Sequence, residues 1–381
     1  MLATRLQATV DPFLRRSQYG FRRNRSTLHA IHVVRRIFDA LNHKQHTDLN
    51  LILCDWNKAF DKVDTTALKD ALQSFGIGGH FLATVLATFH AQFRVLGLEG
   101  FPSSDLHPQE TGIRQGCPLS PLLFVIMLSW LMEGVDKLYQ QTGVTPPPNI
   151  PILDVFYADD TILLSSDPID LQTRFTLLES LGAKIGLTLN RDKTVLLLGK
   201  VKHKSTLGTS RYPNHPLIRP MNILYNDGTS VKITESETYL GSTLTRMRSS
   251  LPELRRRINL GYVRAGELVR LWRGTGISRK RKIELLESLV GSLILYGIEA
   301  LNLTHNEHET LDRAQRRLYR RALNLAPPYI AQLNNTEIVY SADLLDIPKF
   351  HIKWSERVRT ARALSLIHIS EPTRLRRISY A

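Results

Sequence analysis

Two adjacent carboxylates set between apolar runs constrain this chain more than any other feature. Val155-Phe156-Tyr157-Ala158 leads into Asp159-Asp160, and Thr161-Ile162-Leu163-Leu164 follows. The flanks read as strands rich in β-branched and aromatic residues, so the acid pair falls at the tight connection of a β-hairpin. Neighbouring aspartates repel each other unless a cation sits beside them, and hard divalent cations prefer oxygen ligands. The pair therefore marks a candidate Mg2+ site for phosphoryl or nucleotidyl transfer. A turn built from turn-prone aspartates is the simpler reading of the same residues.

Charge points to the partner class. Against 35 Asp+Glu stand 50 Lys+Arg, a formal net charge of +15 over 381 residues. That excess favours a polyanion, nucleic acid before a membrane surface. Apolar residues make up 43% of the chain, enough for packed cores. The two cysteines, Cys54 and Cys117, form no Cys-x-x-Cys or Cys/His array. No zinc knuckle or disulfide framework is expected, and a reducing, intracellular setting fits. The apolar run Leu122 to Met132 is too short to span a bilayer, and no signal peptide is visible.

Candidate elements follow in order. Gln18-Tyr19-Gly20-Phe21-Arg22-Arg23-Asn24-Arg25-Ser26-Thr27 places guanidiniums before a Ser/Thr helix start, either a phosphate clamp or a solvated basic loop. A helix over 27–41 leads to a buried strand over 49–56 that ends in Asp55-Trp56. A lone carboxylate there needs a cation or a donor, or caps the next turn. Two helices carrying Leu68, Leu72 and Phe75, then Phe81, Val85 and Phe89, are separated by Gly76, Gly78 and Gly79. A strand is expected over 92–98. Gly112-Ile113-Arg114-Gln115-Gly116-Cys117-Pro118-Leu119-Ser120-Pro121 then opens a buried helix over 121–138, with Ser120 as its N-cap. A helix over 170–184, a turn at Asn190–Thr194, a strand over 195–198, an irregular basic stretch over 200–220 and a hairpin turning at Asn226-Asp227-Gly228 complete this half.

From about Leu251 the pattern turns helical. Leu254, Ile258, Tyr262, Ala265, Leu268 and Trp272 form one stripe, a second helix runs from a cap at Ser278 to about Tyr296, and a third carries Leu311, Ala314, Leu318 and Ala322. Basic residues, among them Arg257, Lys282, Arg313, Arg316, Arg317, Arg320 and Arg321, are expected on the outer faces. Ordinary helix solvation is the simpler reading, and on the third helix the near-absence of compensating acids favours phosphate contacts.

These motifs, in this order, resemble a reverse transcriptase, most of all that of a non-LTR (LINE-type) retrotransposon. The resemblance rests on Gln18–Thr27, Asp55–Val63 (Asp-x-x-Lys-Ala-Phe-Asp-x-Val), Gly112–Pro121, Tyr157–Asp160, Gly186–Thr194 and Tyr239–Ser242, and covers about residues 1–330. It implies an α+β right-hand polymerase: partial fingers over 1–48, a palm with an antiparallel sheet and interleaved fingers elements over 49–245, and a helical basic thumb over 246–330. A C-terminal extension covers 331–364. The run 365–381 resembles a translated sequencing adapter and is set aside as a non-native tail.

The resemblance also implies roles. Asp55 and Asp159 bridge two Mg2+ ions (Mn2+ being an alternative), Asp160 takes part less directly, and the Trp56 carbonyl can add a ligand. Phe60, five residues after Asp55, matches the aromatic gate against a ribose 2′-hydroxyl, though a core phenylalanine is the simpler reading. Gln115 and Gly116 match positions lining the incoming nucleotide, and Arg22 and Arg25 a template and triphosphate clamp. Lys193 is a candidate general acid for pyrophosphate. Tyr157, Ala158, Arg316, Arg317 and Arg320 are candidate nucleic-acid contacts. The implied partners are an RNA template, a DNA primer and deoxynucleoside triphosphates, and the family's priming on chromosomal DNA implies a nuclear location. The abrupt start and the lack of endonuclease or ribonuclease H sequence lead us to expect a fragment or truncated copy. A group II intron-type reverse transcriptase and a catalytically dead, nucleic-acid-binding remnant are the rival readings.

Overall fold

The computed structural model describes residues 2–43, 49–88, 92–93, 107–108, 111–148, 150, 152–198, 222–245, 249–325 and 352–369. Most of the expected 92–98 strand, the 200–220 loop, most of the 331–364 extension and the end of the tail lie outside them. The chain divides into two units: residues 1–30, 40–237 and 245–247, and residues 31–39, 238–244 and 248–381. Segments 31–39 and 238–244 thus pack with the helical part, ahead of the 246 boundary expected from sequence.

The first unit is built on a five-stranded sheet. Its strands are β1 (Asn50–Cys54), β4 (Asp154–Tyr157), β5 (Asp160–Ser165), β6 (Val195–Leu198) and β7 (Lys232–Thr234), in the order β4-β5-β1-β6-β7. The short strands β2 (Gln92–Phe93) and β3 (His107–Pro108) pair separately. All neighbours in the main sheet are antiparallel except β6 and β7. Central β1 and β5 are buried along nearly their whole length because both faces are covered.

The covering helices are α1 (Leu2–Val10), α4 (Thr65–Ser74), α5 (Gly79–Ala87), α6 (Ser120–Gln141) and α7 (Pro168–Lys184), with short α3 (Ala59–Lys62) beside them. α6 buries nearly every face of its first three turns, as its all-round apolar sequence requires. It is longer than expected, and Ser120 does not cap it. The Ser120 hydroxyl donates instead to the Arg114 carbonyl, 2.6 Å away, tying the preceding loop down. Asp64 and Asp167 do cap α4 and α7. The α+β class expected from sequence is the class observed.

The second unit holds most of α2 (Thr27–His43), most of the hairpin of β8 (Ser236–Tyr239) and β9 (Ser242–Thr245), and helices α8 (Leu251–Glu267), α9 (Val269–Arg273), α10 (Arg279–Leu286), α11 (Ser292–Leu295), α12 (His305–Ala322) and α13 (Trp354–Ile369). Ser278 caps α10 as expected, but the helix is not continuous to Tyr296. A π-turn at Glu287–Gly291 interrupts it. There the Glu287 carboxylate turns inward and accepts from Tyr319 Oη (2.6 Å), Trp354 Nε1 (3.0 Å) and Arg357 Nη1 (2.6 Å). Trp354 and Val358 sit in the same core as Trp272, Leu254 and Ile294, so the start of α13 belongs to this unit. The backbone stays helical to Ile369, across the start of the segment set aside as a tail. Cys54 and Cys117 are free thiols. Among the described residues no helix is long and apolar enough to cross a membrane.

Candidate active site

The acid pair sits where its flanks predict. Tyr157 pairs with Asp160, leaving Ala158 and Asp159 as a two-residue turn. Ala158 has φ +57° while Asp159 does not enter the positive region, the pattern of a II′ turn. In β1, Cys54 pairs with Thr161. Continuing that register by one residue sets Asp55 beside Asp160, and the charges of Asp55 and Asp159 both act on Asp160.

The turn at 190–194 encloses Asp55 from the other side. Its N–H donates to Thr194 Oγ1 at 3.3 Å, and its carbonyl accepts from Asn190 N–H at 2.7 Å. Lys193 Nζ stands 3.7 Å from the Asp55 carboxylate. Trp56 turns its ring into the core, donating to Thr161 Oγ1 at 3.2 Å and packing on Gly182.

Burial, then the charges of Asp159 and Asp55, push the Asp160 carboxyl up to about 6, against the pull of Lys193. Asp160 keeps exposed surface, so solvent screens part of this repulsion. Three acids sharing one nearby cation make a locus where further positive charge is favourable, and their hard oxygen donors suit Mg2+ or Mn2+. Among the described residues no three His, Cys, Asp or Glu side chains form a ready-made cation cage. Magnesium commonly completes its shell with waters and substrate phosphates around one or two carboxylates, so a pair such as Asp55 and Asp159 suits it.

The loop before α6 packs on α3. Ile113 N–H donates to the Phe60 carbonyl (2.6 Å) and Gly112 N–H to the Val63 carbonyl (2.8 Å). Gly112 has φ +86°, and a Cβ there would stand 2.6 Å from the Asp61 carbonyl, so only glycine lets this loop lie against α3. The contact delivers Gln115, whose Nε2 donates to Asp61 Oδ1 at 3.1 Å. Gly116 faces open space. The half-buried Phe60 ring stacks on Phe124 of α6, centroids 4.6 Å apart.

Two assignments to the basic segment need correction. Arg22 is no free clamp: its side chain is 6% exposed, pairs with Asp11 at 2.9 Å and donates to the Asp11 and Arg15 carbonyls. Arg25 donates to the Arg16 and Gln18 carbonyls and lies over the Tyr19 ring. Burial, with Arg22 close by, lowers its pKa. Both guanidiniums shape the segment from within.

In the helical unit, Arg313, Arg317 and Arg321 are exposed along one face of α12 and Arg316 is half-buried. Arg320 is 6% exposed, Arg257 5% and Lys282 9%. These three do not stand on an outer face as expected. Four-residue steps carry the stripe 313-317-321, whereas 320 falls with the apolar positions of the same helix. Lys282 donates to the Trp272 carbonyl at 2.6 Å, and Arg257 pairs with Glu253 at 2.8 Å.

Comparison with known proteins identifies the family. The family model described as reverse transcriptase (RNA-dependent DNA polymerase) matches residues 1–244. The chain therefore belongs to the reverse transcriptase family. It is 24% identical over 333 residues to the Pol polyprotein of the type-1 retrotransposable element R2 of Popillia japonica, covering 85% of this chain and 43% of that protein. It is 26% identical over 215 residues to the R2DM Pol polyprotein of Drosophila melanogaster, covering 54% and 18%. A 149 kDa protein of transposon TX1 from Xenopus laevis is 31% identical over 170 residues, covering 44% and 13%. The chain thus spans less than half the length of each of these relatives. Among solved structures, apo telomerase of Candida tropicalis is 14% identical, with TM-score 0.48 over 95% of this chain and 55% of that one.

Sequence reasoning passed over several residues that shape the site. Asp61, Thr194, Arg15 and Asp154 were named, if at all, only as parts of longer runs. Asp154 carried a usable signal, since a carboxylate opening an apolar strand needs a buried partner. For Gln18, inside a recognised motif, nothing local tells which distant backbone it would meet.

Proposed function

We propose that this chain is an RNA-directed DNA polymerase, adding deoxynucleotides to a primer 3′ end along an RNA template. The observation that carries this reading is the β1–β5 register, which brings Asp55 to the hairpin bearing Asp159 and Asp160. Asp55 and Asp159 would hold the divalent ions, with Asp160 in support. Bound there, such ions lower the pKa of the primer hydroxyl and neutralise the leaving pyrophosphate.

The chain's own groups do the rest. Lys193, 69% exposed and beside Asp55, can give a proton to the departing pyrophosphate. Gln115, held by Asp61, and the open backbone at Gly116 face the nucleotide, and the Phe60 ring excludes a 2′-hydroxyl. Tyr157 carries the primer end, whereas Ala158, 6% exposed and held by Gln18, is not the nucleic-acid contact expected from sequence. We assign the first unit to palm and fingers and the second to a thumb whose exposed α12 arginines track phosphates. Priming on chromosomal DNA would locate the protein in the nucleus.

Primer extension on an RNA template with Mg2+ tests this reading. The natural chain should extend, and Asp159→Asn should bind template-primer equally and extend at least a hundredfold more slowly. Tight binding with no extension by the natural chain would instead favour a remnant that holds nucleic acid without chemistry.

A further inference from the structure

The carboxylate hairpin does not hold its own conformation. Ala158 stands at φ +57°, a region costly for any residue with a Cβ. Its peptide groups point away from the β4–β5 ladder and find their partners in a segment about 140 residues earlier. Gln18 Oε1 accepts from Ala158 N–H at 3.1 Å and from Gly20 N–H at 2.8 Å, and Gln18 Nε2 donates to the Ala158 carbonyl at 3.4 Å. Two N–H groups converge on one end of the amide and a carbonyl faces the other, which settles its orientation. Gln18 is 1% exposed.

The segment is seated independently of that side chain. Phe156 N–H donates to the Ser17 carbonyl (2.9 Å) and Tyr19 N–H to the Phe156 carbonyl (2.8 Å), forming a parallel bridge on the outer edge of β4. Three residues upstream, Arg15 is pinned to Asp154 at the other end of that strand. A Cβ on Gly20 would lie 2.1 Å from the Ala158 nitrogen, so glycine is what lets the two backbones touch.

We propose that Gln18 is a positioning residue for the metal-binding carboxylates: its buried amide grips the peptides on both sides of Ala158 and thereby sets where Asp159 and Asp160 stand relative to Asp55. The role rests on the polymerase reading above for its consequence in catalysis, though not for its consequence in metal binding. A side chain that both donates and accepts is required. A carboxylate could accept from the two N–H groups but not donate to the carbonyl, and would bring a fourth negative charge to the acids. An apolar side chain would leave two buried N–H groups and a buried C=O without this partner.

The test uses the whole chain and two probes. Mn2+ binding is followed by electron paramagnetic resonance, and primer extension by its kcat, its KM for deoxynucleotide and its half-saturating Mg2+ concentration. In Gln18→Met we expect Mn2+ affinity to fall at least fivefold, half-saturating Mg2+ to rise by a similar factor and kcat to fall at least tenfold. Affinity for template-primer should move little, while the thermal midpoint should fall by several degrees as the orphaned backbone groups require. Gln18→Asn, too short to reach, should not rescue. Gly20→Ala, which leaves the amide intact but displaces the segment, should reproduce the metal defect.

Metal affinity and Mg2+ dependence within twofold of the natural chain in folded Gln18→Met would overturn the proposal. Should that variant fail to fold, Gly20→Ala decides it by the same criterion. If the natural chain binds Mn2+ but never extends a primer, the polymerase reading falls, while the Mn2+ titration still decides the role of Gln18.

Discussion

Arg15 donates through Nε and Nη2 to the two carboxylate oxygens of Asp154, at 2.9 and 2.5 Å, while its Nη1 reaches Asp136 at 2.6 Å. The Ser17 hydroxyl donates to the same Asp154 carboxylate. Burial opposes the Asp154 charge, but Arg15 and Ser17 outweigh it and hold the carboxyl below its usual range. One guanidinium thus joins the segment after α1 to α6 and β4. Removing it strands a carboxylate that is 5% exposed, a loss of about 3 kcal/mol by analogy with other broken buried pairs. Arg15→Leu should lower the urea midpoint accordingly at pH 7. Asp154→Asn, which removes the stranded charge, should cost less, and an equal loss in both would deny the charge its role.

Phe60 has two partners to answer to. Its ring stacks on Phe124, a core contact, while its place five residues after Asp55 in the sequence suits the proposed sugar gate. Phe60→Ala should cost about 2 kcal/mol for a half-buried ring and should raise ribonucleotide incorporation at least tenfold. Phe124→Leu disturbs the same stack from the core side and should shift stability alone. If Phe124→Leu relaxes sugar selection as much as Phe60→Ala, the effect is packing, and the gate assignment goes.

The hairpin, α2, α4, α5 and α7 were legible because each is written locally: β-branched runs around a turn, apolar residues at helical spacing, Asp or Gly at the ends. The pairing that sets Asp55 beside that hairpin joins distant strands and was expected from the family resemblance, not from local pattern. What stayed hidden depends on partners far away in sequence. Gln18 looks like any loop amide until Ala158 is placed over it. Arg22 and Arg320 look like solvent-facing cations until Asp11 and the apolar side of α12 claim them. Glu287 lies in a plain helical pattern, and the inward pull of Tyr319, Trp354 and Arg357 across the second unit accompanies the π-turn there. Charge counts alone do not separate a guanidinium that binds a ligand from one that holds the fold.

Glu253 ties α8 to the Leu240-Gly241 turn. Burial would raise its carboxyl, but hydrogen bonds from Arg256, Arg257 and Thr243 hold it at about 2, below its ordinary 4.5. Both arginines in turn donate to the Gly241 carbonyl. Since the folded-state value lies below the unfolded one, this contribution is full above about 4.5 and drains away as pH falls towards 2. With solvent screening allowed for, it is worth about 2 kcal/mol. Glu253→Gln should therefore be less stable than the natural chain by about that amount at pH 7, with the gap closing between pH 4.5 and 2. A gap that does not change with pH would assign the loss to packing.

Arg317 and Arg320 lie within one turn of α12 and should fail in opposite ways. Arg317 is exposed on the 313-317-321 stripe, and Arg320 is 6% exposed. An exposed guanidinium that meets a phosphate displaces a counterion, so its loss shows in the salt dependence of binding. Arg317→Ala should weaken template-primer binding at low salt and reduce the slope of log affinity against log salt by about 1, with the thermal midpoint unchanged. Arg320→Ala should leave that slope intact and lower the midpoint, because what it gives up lies inside the helical unit. A slope change in Arg320→Ala, or an unchanged slope in Arg317→Ala, would remove the stripe from the proposed nucleic-acid interface and leave α12 as scaffold alone.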